Sequence, residues 1–243
     1  MQAENMIELK DVAKYYEMES EVVKALDCVN IPIPKGDFVA IMGPSGSGKS
    51  TSMNLTGSLD LPTKGEIFLD GENIANLEES ELAQVRGKKI GFIFQQFNLI
   101  PNLTAKENVM LPMLFQGEDN EYREERAKKL LEAVELGDRI DFYPNQLSGG
   151  QQQRVAIARS LANKPDIILA DEPTGNLDTK TGDRVMKFLT VLNKKGRTII
   201  IVTHDPDIAR TYAKTIYSIR DGKIESIEKK VKNKWKKQKI KSC

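Results

Sequence analysis

The chain has 243 residues, of which 40% are apolar and 29% charged, a composition typical of a globular protein and not of a disordered one. Its longest apolar runs, at residues 167–170 and 198–202, are far shorter than the roughly 20 residues that span a bilayer, so no transmembrane helix is predicted. The formal net charge is +1, yet residues 229–243 hold eight lysines and no acid, which leaves the remainder of the chain mildly acidic.

Short strand patterns dominate the first 75 residues. Alternating apolar runs bounded by turn residues occur at 6–12, 25–33 and 65–74 and predict antiparallel β-structure. The apolar run Phe38–Met42 leads directly into a glycine loop and a helix predicted at Lys49–Ser58. This order predicts a strand-loop-helix unit with its loop at the carboxyl end of the strand.

The middle of the chain is predicted to be helical. A short helix at Glu78–Arg86 and a buried strand at Lys89–Gln95 come first. Three helical patterns then follow without a strand between them, at Thr104–Phe115, Tyr122–Glu135 and Gly149–Asn163. We therefore expect an α-helical subdomain at about residues 96–164, inserted in the core.

Strands and helices alternate again after Pro165. The predicted elements are a strand at Ile167–Asp171, a helix at Thr179–Lys194, a strand at Thr198–Thr203, a helix at Pro206–Tyr212 and a final hairpin. Such alternation predicts a mostly parallel sheet covered by helices. The fold class is therefore α/β, with an antiparallel β subdomain near the N-terminus and an inserted helical subdomain.

The segment GPSGSGKST at 43–51 matches the phosphate-binding pattern G-x-x-x-x-G-K-[ST]. In such a loop, glycines let backbone amides close on a phosphate, the lysine reaches the β- and γ-oxygens, and the serine hydroxyl binds magnesium. The predicted strand before it and helix after it favour nucleotide binding over a glycine-rich structural turn. The candidate residues for binding ATP are Gly43, Ser45, Gly46, Gly48, Lys49, Ser50 and Thr51.

Polar side chains also follow three apolar strands. Adjacent residues on a strand point to opposite faces, so Asp171 and Glu172 must differ in role: one can hold Mg²⁺ while the other polarises an attacking water. His204, the only histidine, can donate to a γ-phosphate, and Gln95 can reach the magnesium or the water. Taken singly, these positions are also typical of an exposed strand end, a surface histidine and a polar residue that opens a loop.

Five motifs in order resemble those of ABC-type ATPases, with coverage from about Ile7 to Ile227. They are GPSGSGKST (Walker A), FIFQQ (Q-loop), LSGGQQQRVAIARSL (signature), IILADEPTGNLD (Walker B with D-loop) and VTHD (H-loop). The stretches at 97–113 and 171–178 are similar to the branch that serves lipoprotein release and macrolide export. The resemblance implies a P-loop NTPase core, ATP and Mg²⁺ as cofactors, and ATP hydrolysis.

The resemblance also implies roles for particular residues. Glu172 would be the catalytic base, aided by His204 and Gln95, and Mg²⁺ would be held by Ser50, Gln95 and Asp171. Tyr16 would stack on adenine, although the neighbouring Tyr15 is an alternative. In this family two ATPase domains face each other head to tail, so the signature loop would contact the ATP of a second copy and the D-loop would lie at the interface. These last residues are Ser148, Gly149, Gly150 and Gln151 of the signature and Asp178 of the D-loop.

The resemblance implies the energy subunit of a transporter. Its expected partners are a second copy, or a related ATPase subunit, and an integral membrane permease on a separate chain that exports a substrate or transmits force. The expected location is the cytoplasmic face of the cell membrane, since no secretory signal is recognisable at the N-terminus. One alternative is a superfamily member that acts on DNA or ribosomes, although the long insertions or duplicated cassettes of such relatives are missing. A nucleotide-binding regulator without turnover is a second alternative, against which Glu172 and His204 argue.

The lysine-rich end is predicted to be separate from the ATPase domain. We expect an ATPase domain at 1–228 and a basic, disordered tail at 229–243. Like-charge blocks of this kind are typical of solvated termini, but they can also contact anionic lipid or nucleic acid. Trp235 favours the membrane surface, because indole rings are enriched at that interface.

Overall fold

A computed structural model of the chain describes residues 4–17 and 21–240. The residue contacts divide the chain into two compact units, Met1–Leu82 with Leu192–Cys243 and Ala83–Val191. Among the described residues no helix is both long and apolar enough to cross a membrane.

The first unit holds two separate β-structures. Its elements, in chain order, are β1 (Asn5–Glu17), β2 (Val22–Pro34), β3 (Phe38–Met42), α1 (Lys49–Thr56), β4 (Lys64–Leu69), β5 (Glu72–Asn73) and the start of α2 (Glu79–Lys89). Strands β2, β1, β4 and β5 form an antiparallel sheet in that order. The predicted antiparallel subdomain is confirmed. Strands β1 and β2 are longer than the apolar runs that predicted them, because their pairing continues past bulges in the register.

The second unit contains most of the helices. Its elements are β6 (Ile90–Ile93), α3 (Ala105–Phe115), α4 (Asn120–Ala133), α5 (Gly149–Ser160), β7 (Ile167–Asp171) and most of α6 (Thr179–Lys194). Helix α3 begins at a capping box, in which Thr104 and Glu107 each satisfy a backbone N–H of the other. Strands β6 and β7 pair in parallel, and residues 167–170 of β7 are fully buried. Among the described residues the three predicted helices follow one another with no strand between them. The residue contacts group these helices with β6, β7 and most of α6, however, so the predicted subdomain limits at 96–164 stay a prediction.

The last elements return to the first unit. They are β8 (Thr198–Thr203), α7 (Pro206–Tyr212), β9 (Thr215–Arg220), β10 (Lys223–Val231) and β11 (Lys234–Lys237). Strand β3 lies between β8 and β9 and is parallel to both. Burial of every residue of β8 is what a parallel strand covered on both faces requires. The predicted mostly parallel sheet is confirmed, with an antiparallel edge formed by β10 and β11.

Residues 229–237 of the lysine-rich end belong to a hairpin where the sequence predicts a disordered tail, and the last part of that predicted tail, 241–243, lies outside the described residues. Strand β10 runs three residues past Glu228, and β11 pairs with it so that Trp235 lies opposite Lys230. The two turn residues, Lys232 and Asn233, both have positive φ, as a tight hairpin turn needs. The Trp235 ring lies 5.7 Å from the guanidinium of Arg210 and 5.7 Å from the ammonium of Lys230. Cation–π contacts at this distance are attractive, and here they are made by the protein's own cations.

Candidate functional site

The phosphate-binding pattern forms the loop between β3 and α1. Helix α1 begins after Gly48, which has φ 101°, and no described side chain caps its N-terminus. The Lys49 side chain is buried and its Nζ donates to the carbonyl of Pro44, 2.7 Å away, so the cation lies over its own loop. The buried Ser47 hydroxyl has no hydrogen-bond partner among the described residues. An uncapped helix start, a cation and an unsatisfied hydroxyl together suit a phosphate group.

Tyr15 and Tyr16 have different surroundings at the end of β1. The Tyr15 hydroxyl donates to Asp27 at 2.7 Å. Tyr16 is 38% exposed and its hydroxyl donates to Asp60 at 3.2 Å. Burial and this hydrogen bond raise the pKa of Tyr16, and the phenol also lies within hydrogen-bonding reach of Thr51 at the start of α1. Of the two rings, that of Tyr16 therefore lies beside the phosphate loop.

The remaining predicted residue of this unit is His204. It follows directly after β8 and is exposed, and Asp205 next to it caps α7 by accepting from the backbone N–H groups of Asp207 and Ile208. Strand β8 neighbours β3, whose carboxyl end carries the phosphate loop. Because both strands run in the same direction, His204 and the phosphate loop lie at the same edge of their sheet.

The second unit brings Gln95 and Glu172 together. Asp171 is the last residue of β7, and Glu172 follows it in a left-handed conformation, φ 40°, which is unusual for a residue with a side chain. A Cβ placed on Gly175 would lie 3.2 Å from Gln95 Nε2 and 3.5 Å from Glu172 Oε2, so both side chains border the same point. The side chain of Asn176 also donates to the Gln95 carbonyl at 2.8 Å. The ends of β6 and β7 thus present an amide and a carboxylate side by side.

The signature segment forms the N-terminus of α5. Ser148 and Gln151 make a capping box: the Ser148 hydroxyl accepts from the Gln151 N–H at 3.4 Å, and the Gln151 side chain accepts from the Ser148 N–H at 2.8 Å. Gly149 lies against Phe97, and a Cβ on Gly150 would come within 2.8 Å of Thr181 Cγ2. A recess of about 410 Å³ adjoins Ser148 and Gly150. The Gln151 side chain is therefore engaged with its own helix start.

Asp178 caps helix α6. Its carboxylate accepts from the Thr181 N–H at 3.0 Å and from the Thr181 hydroxyl at 2.6 Å, and these bonds lower the pKa of the carboxyl. Because a Cβ on Gly150 would touch the same Thr181, the D-loop and the signature helix are packed against each other within this unit.

The sequence patterns did not single out two residues that support the catalytic candidates. Gln153 is fully buried in α5 and donates to the carbonyl of Pro173, the residue after Glu172, at 2.8 Å. Asn176 holds the Gln95 carbonyl, as described above. The only signal for Gln153 is a polar residue on the apolar face of a helix, which the Gln151–Gln153 run obscures.

The described residues contain no group of three His, Cys, Asp or Glu side chains placed to hold a metal ion by themselves. Mg²⁺ usually keeps several waters and is bound through one or two protein oxygens together with substrate phosphates. Ser50 in the first unit, and Gln95 and Asp171 in the second, carry side-chain oxygens of the kind that magnesium prefers, so the donor chemistry of each fits this ion.

Comparisons with known proteins show the family. The profile of the ABC transporter family matches residues 26–175. The ATP-binding protein MJ0796 of Methanocaldococcus jannaschii is 53% identical over 92% of this chain and 97% of its own length. Its dimeric post-hydrolysis structure bound to ADP and Pi superposes with a TM-score of 0.86 at 52% identity, covering 92% of this chain and 98% of that one. The macrolide export ATP-binding/permease protein MacB of Bdellovibrio bacteriovorus is 50% identical over 92% of this chain, which matches 34% of MacB.

The chain belongs to the ABC transporter family, and it is an ATP-binding and ATP-hydrolysing subunit of that family. The fold predicted from the motifs is confirmed by the superposition on MJ0796. The relatives named above are transporter ATP-binding proteins, and none of them supports an action on DNA or ribosomes.

Proposed function

We propose that this chain powers a membrane permease on a separate chain by forming a head-to-tail dimer around two ATP molecules. The observation that carries the proposal is the phosphate loop, in which the start of α1 is uncapped, the buried Ser47 hydroxyl has no partner among the described residues and the Lys49 ammonium lies on the Pro44 carbonyl. MJ0796, which is similar over almost its whole length, forms a dimer with ADP and Pi. MacB joins a similar ATPase region to a permease in one chain, which supports a permease as partner here.

The roles of the residues follow from their chemistry. The amides at Gly43–Thr51 and the Lys49 ammonium bind the phosphates, while Tyr16 stacks on the adenine. Ser50, Gln95 and Asp171 would hold Mg²⁺, whose charge would offset that of the phosphates. Glu172 accepts a proton from the attacking water, Gln95 orients that water, and His204 donates to the γ-phosphate.

The start of helix α5 provides a second site for phosphate, and this site binds the nucleotide of the partner. The N-terminus of α5, with Ser148, Gly149, Gly150 and Gln151, donates to the γ-phosphate that the partner's loop holds, and Asp178 lies at the interface. The capping box does not compete with this role, since capping leaves other first-turn amides unbonded. Each ATP is then hydrolysed only in the dimer, because one copy supplies half of each phosphate site.

The dimer is tested by replacing Glu172 with Gln. Loss of the base lowers hydrolysis by a factor of about 10²–10⁴, while ATP binding is retained. We expect sedimentation velocity to show a dimer of the Glu172→Gln chain with Mg-ATP and a monomer with Mg-ADP. A matched control adds Ser148→Arg, which places a bulky cation at the helix start and should abolish the ATP-dependent dimer. A Glu172→Gln chain that stays monomeric at high concentration with Mg-ATP contradicts the proposed dimer.

The permease is tested by capture from native membranes. We expect the Glu172→Gln chain, with Mg-ATP, to retain a multi-spanning protein in stoichiometric amount from the cytoplasmic side of the membrane. Large extracytoplasmic domains on that protein would support export or force transmission of the lipoprotein-release and macrolide-export kind. Recovery of ribosomal proteins or nucleic acid instead would contradict the permease.

We further propose that the exposed lysines of the hairpin formed by β10 and β11 contact anionic lipid. Lys232, Lys234 and Lys236 are exposed, and each contributes about 1 kcal/mol near a charged membrane surface. Replacing these three by Gln should weaken binding to phosphatidylglycerol-containing vesicles about a hundredfold. A variant with the exposed Lys128, Lys187 and Lys195 replaced by Gln has the same net charge and serves as control. Equal weakening in both variants, or no binding beyond that to phosphatidylcholine, contradicts a specific lipid contact.

A further inference from the structure

Helix α5 is tied to the loop of the proposed base by one buried side chain. Gln153 lies five residues after Ser148, is fully buried, and donates through Nε2 to the Pro173 carbonyl at 2.8 Å. Pro173 follows Glu172 directly, so this hydrogen bond fixes the peptide next to the base. The same helix presents the signature residues at its N-terminus.

The loop after β7 needs such a restraint. Glu172 has φ 40°, and a left-handed residue before a proline is doubly disfavoured, because proline also restricts the backbone of the residue that precedes it. Two hydrogen bonds hold this conformation from either side: Gly175 donates its N–H to the Glu172 carbonyl at 2.9 Å, and Gln153 donates to the Pro173 carbonyl. Of the two, only the Gln153 bond comes from a different secondary-structure element.

Burial of the Gln153 amide lowers the stability of the fold, which indicates a role other than packing. Its amide oxygen Oε1 is buried and has no hydrogen-bond partner among the described residues. A buried amide with one unsatisfied atom is less favourable for stability than an apolar side chain of the same size. Methionine or leucine would fill the space without this penalty, but neither can donate to Pro173.

We propose that Gln153 is a positioning residue that links the signature helix to the Glu172 carboxylate. When the N-terminus of α5 engages a phosphate, the helix moves as a rigid element, and the Gln153 bond moves the Pro173 peptide with it. The nucleotide contacted by the signature thereby sets the position of the base in the same chain. The inference rests on the proposed roles of Glu172 and the signature, and it adds a coupling between the two ATP sites of the dimer.

The experiment replaces Gln153 by Met, which keeps the volume and removes the donor. A displacement of the base by about 1 Å lowers turnover on the order of a hundredfold, so we expect kcat to fall about 10–100-fold while KM for ATP and the melting temperature change little. Gln153→Asn, which withdraws the donor by one methylene, should show a smaller loss of kcat and serves as a second variant. The matched control is Gln152→Met, since Gln152 is the adjacent residue and donates to the carbonyls of Pro144 and Leu147, away from the base.

A double-mutant cycle separates positioning from general disruption. In the Glu172→Gln background the base is absent, so adding Gln153→Met should change the single-turnover rate by no more than about twofold. The assignment is overturned if Gln153→Met leaves kcat unchanged, if it lowers the rate equally with and without Glu172, or if Gln152→Met lowers kcat as much. Failure of the Glu172→Gln chain to dimerise contradicts the head-to-tail dimer instead, and a Glu172→Gln chain with full activity contradicts the base.

Discussion

The glycines of the phosphate loop are predicted to differ sharply in their tolerance of a methyl group. Both Gly46 and Gly48 have positive φ, 77° and 101°, and alanine in a left-handed conformation costs about 1–2 kcal/mol. A Cβ on Gly46 meets no atom within 4 Å. On Gly48 it would lie 2.4 Å from the Ala25 carbonyl oxygen and 2.9 Å from Leu26 Cδ2, well inside ordinary contact. Because a backbone carbonyl must shift, Gly48→Ala carries a further cost of about 1–3 kcal/mol.

Thermal unfolding without nucleotide measures this difference. One kcal/mol corresponds to about 2–4 °C for a domain of this size, so Gly46→Ala should lower the melting temperature by about 4 °C and Gly48→Ala by about 10 °C. The variants differ by the same atom in the same loop, which makes each the control for the other. Equal melting temperatures would refute the argument that contact with β2 decides the tolerance at Gly48.

Three further substitutions test helix capping, a buried amide and pH dependence. Thr104→Ala removes the cap of α3 and should lower the free energy of unfolding in urea by about 1 kcal/mol; no change would mean that the capping box contributes nothing. Asn108, fully buried, bonds the N–H of Ile100 and the carbonyls at 100, 103 and 104, so Asn108→Leu should cost about 3 kcal/mol, and a loss under about 1 kcal/mol would contradict that reasoning. Burial alone would raise the pKa of Asp60, but hydrogen bonds, of which that from Lys14 is the largest, outweigh burial and lower the pKa. The carboxylate therefore stabilises the fold at pH values above the pKa that Asp60 has in the unfolded chain. Asp60→Asn should therefore melt lower than the unaltered chain at neutral pH and approach it as the pH falls below about 4; a difference independent of pH would refute the ionic contribution.

The phosphate loop and the strand ends were predictable because each depends on local pattern. The run Phe38–Met42 is apolar throughout, as a strand buried on both faces must be, and the glycine loop follows it directly. Parallel strands place their carboxyl ends at one edge, so the positions of Gln95 and Glu172 after apolar runs already predicted that these two side chains lie near each other.

The contacts that hold the catalytic candidates were not predictable, since they join residues distant in sequence. Nothing in the sequence pattern says that the Gln153 amide meets the carbonyl of Pro173, twenty residues away. The hairpin at the lysine-rich end was missed for a different reason. There Trp235 lies within 5.7 Å of the Arg210 guanidinium, a contact between residues distant in sequence, whereas charge density alone favours a solvated tail.

The lysines of β11 have a consequence for the sheet itself. Among the described strands β11 pairs with β10 only, which leaves one row of backbone N–H and C=O groups open along its other side. An open row of this kind is a template on which strands of other molecules can add, and closely spaced ammonium groups repel such strands before hydrogen bonds form. Lys234, Lys236 and Lys237 thus disfavour aggregation through the open edge of β11, whichever surface the hairpin contacts in the cell.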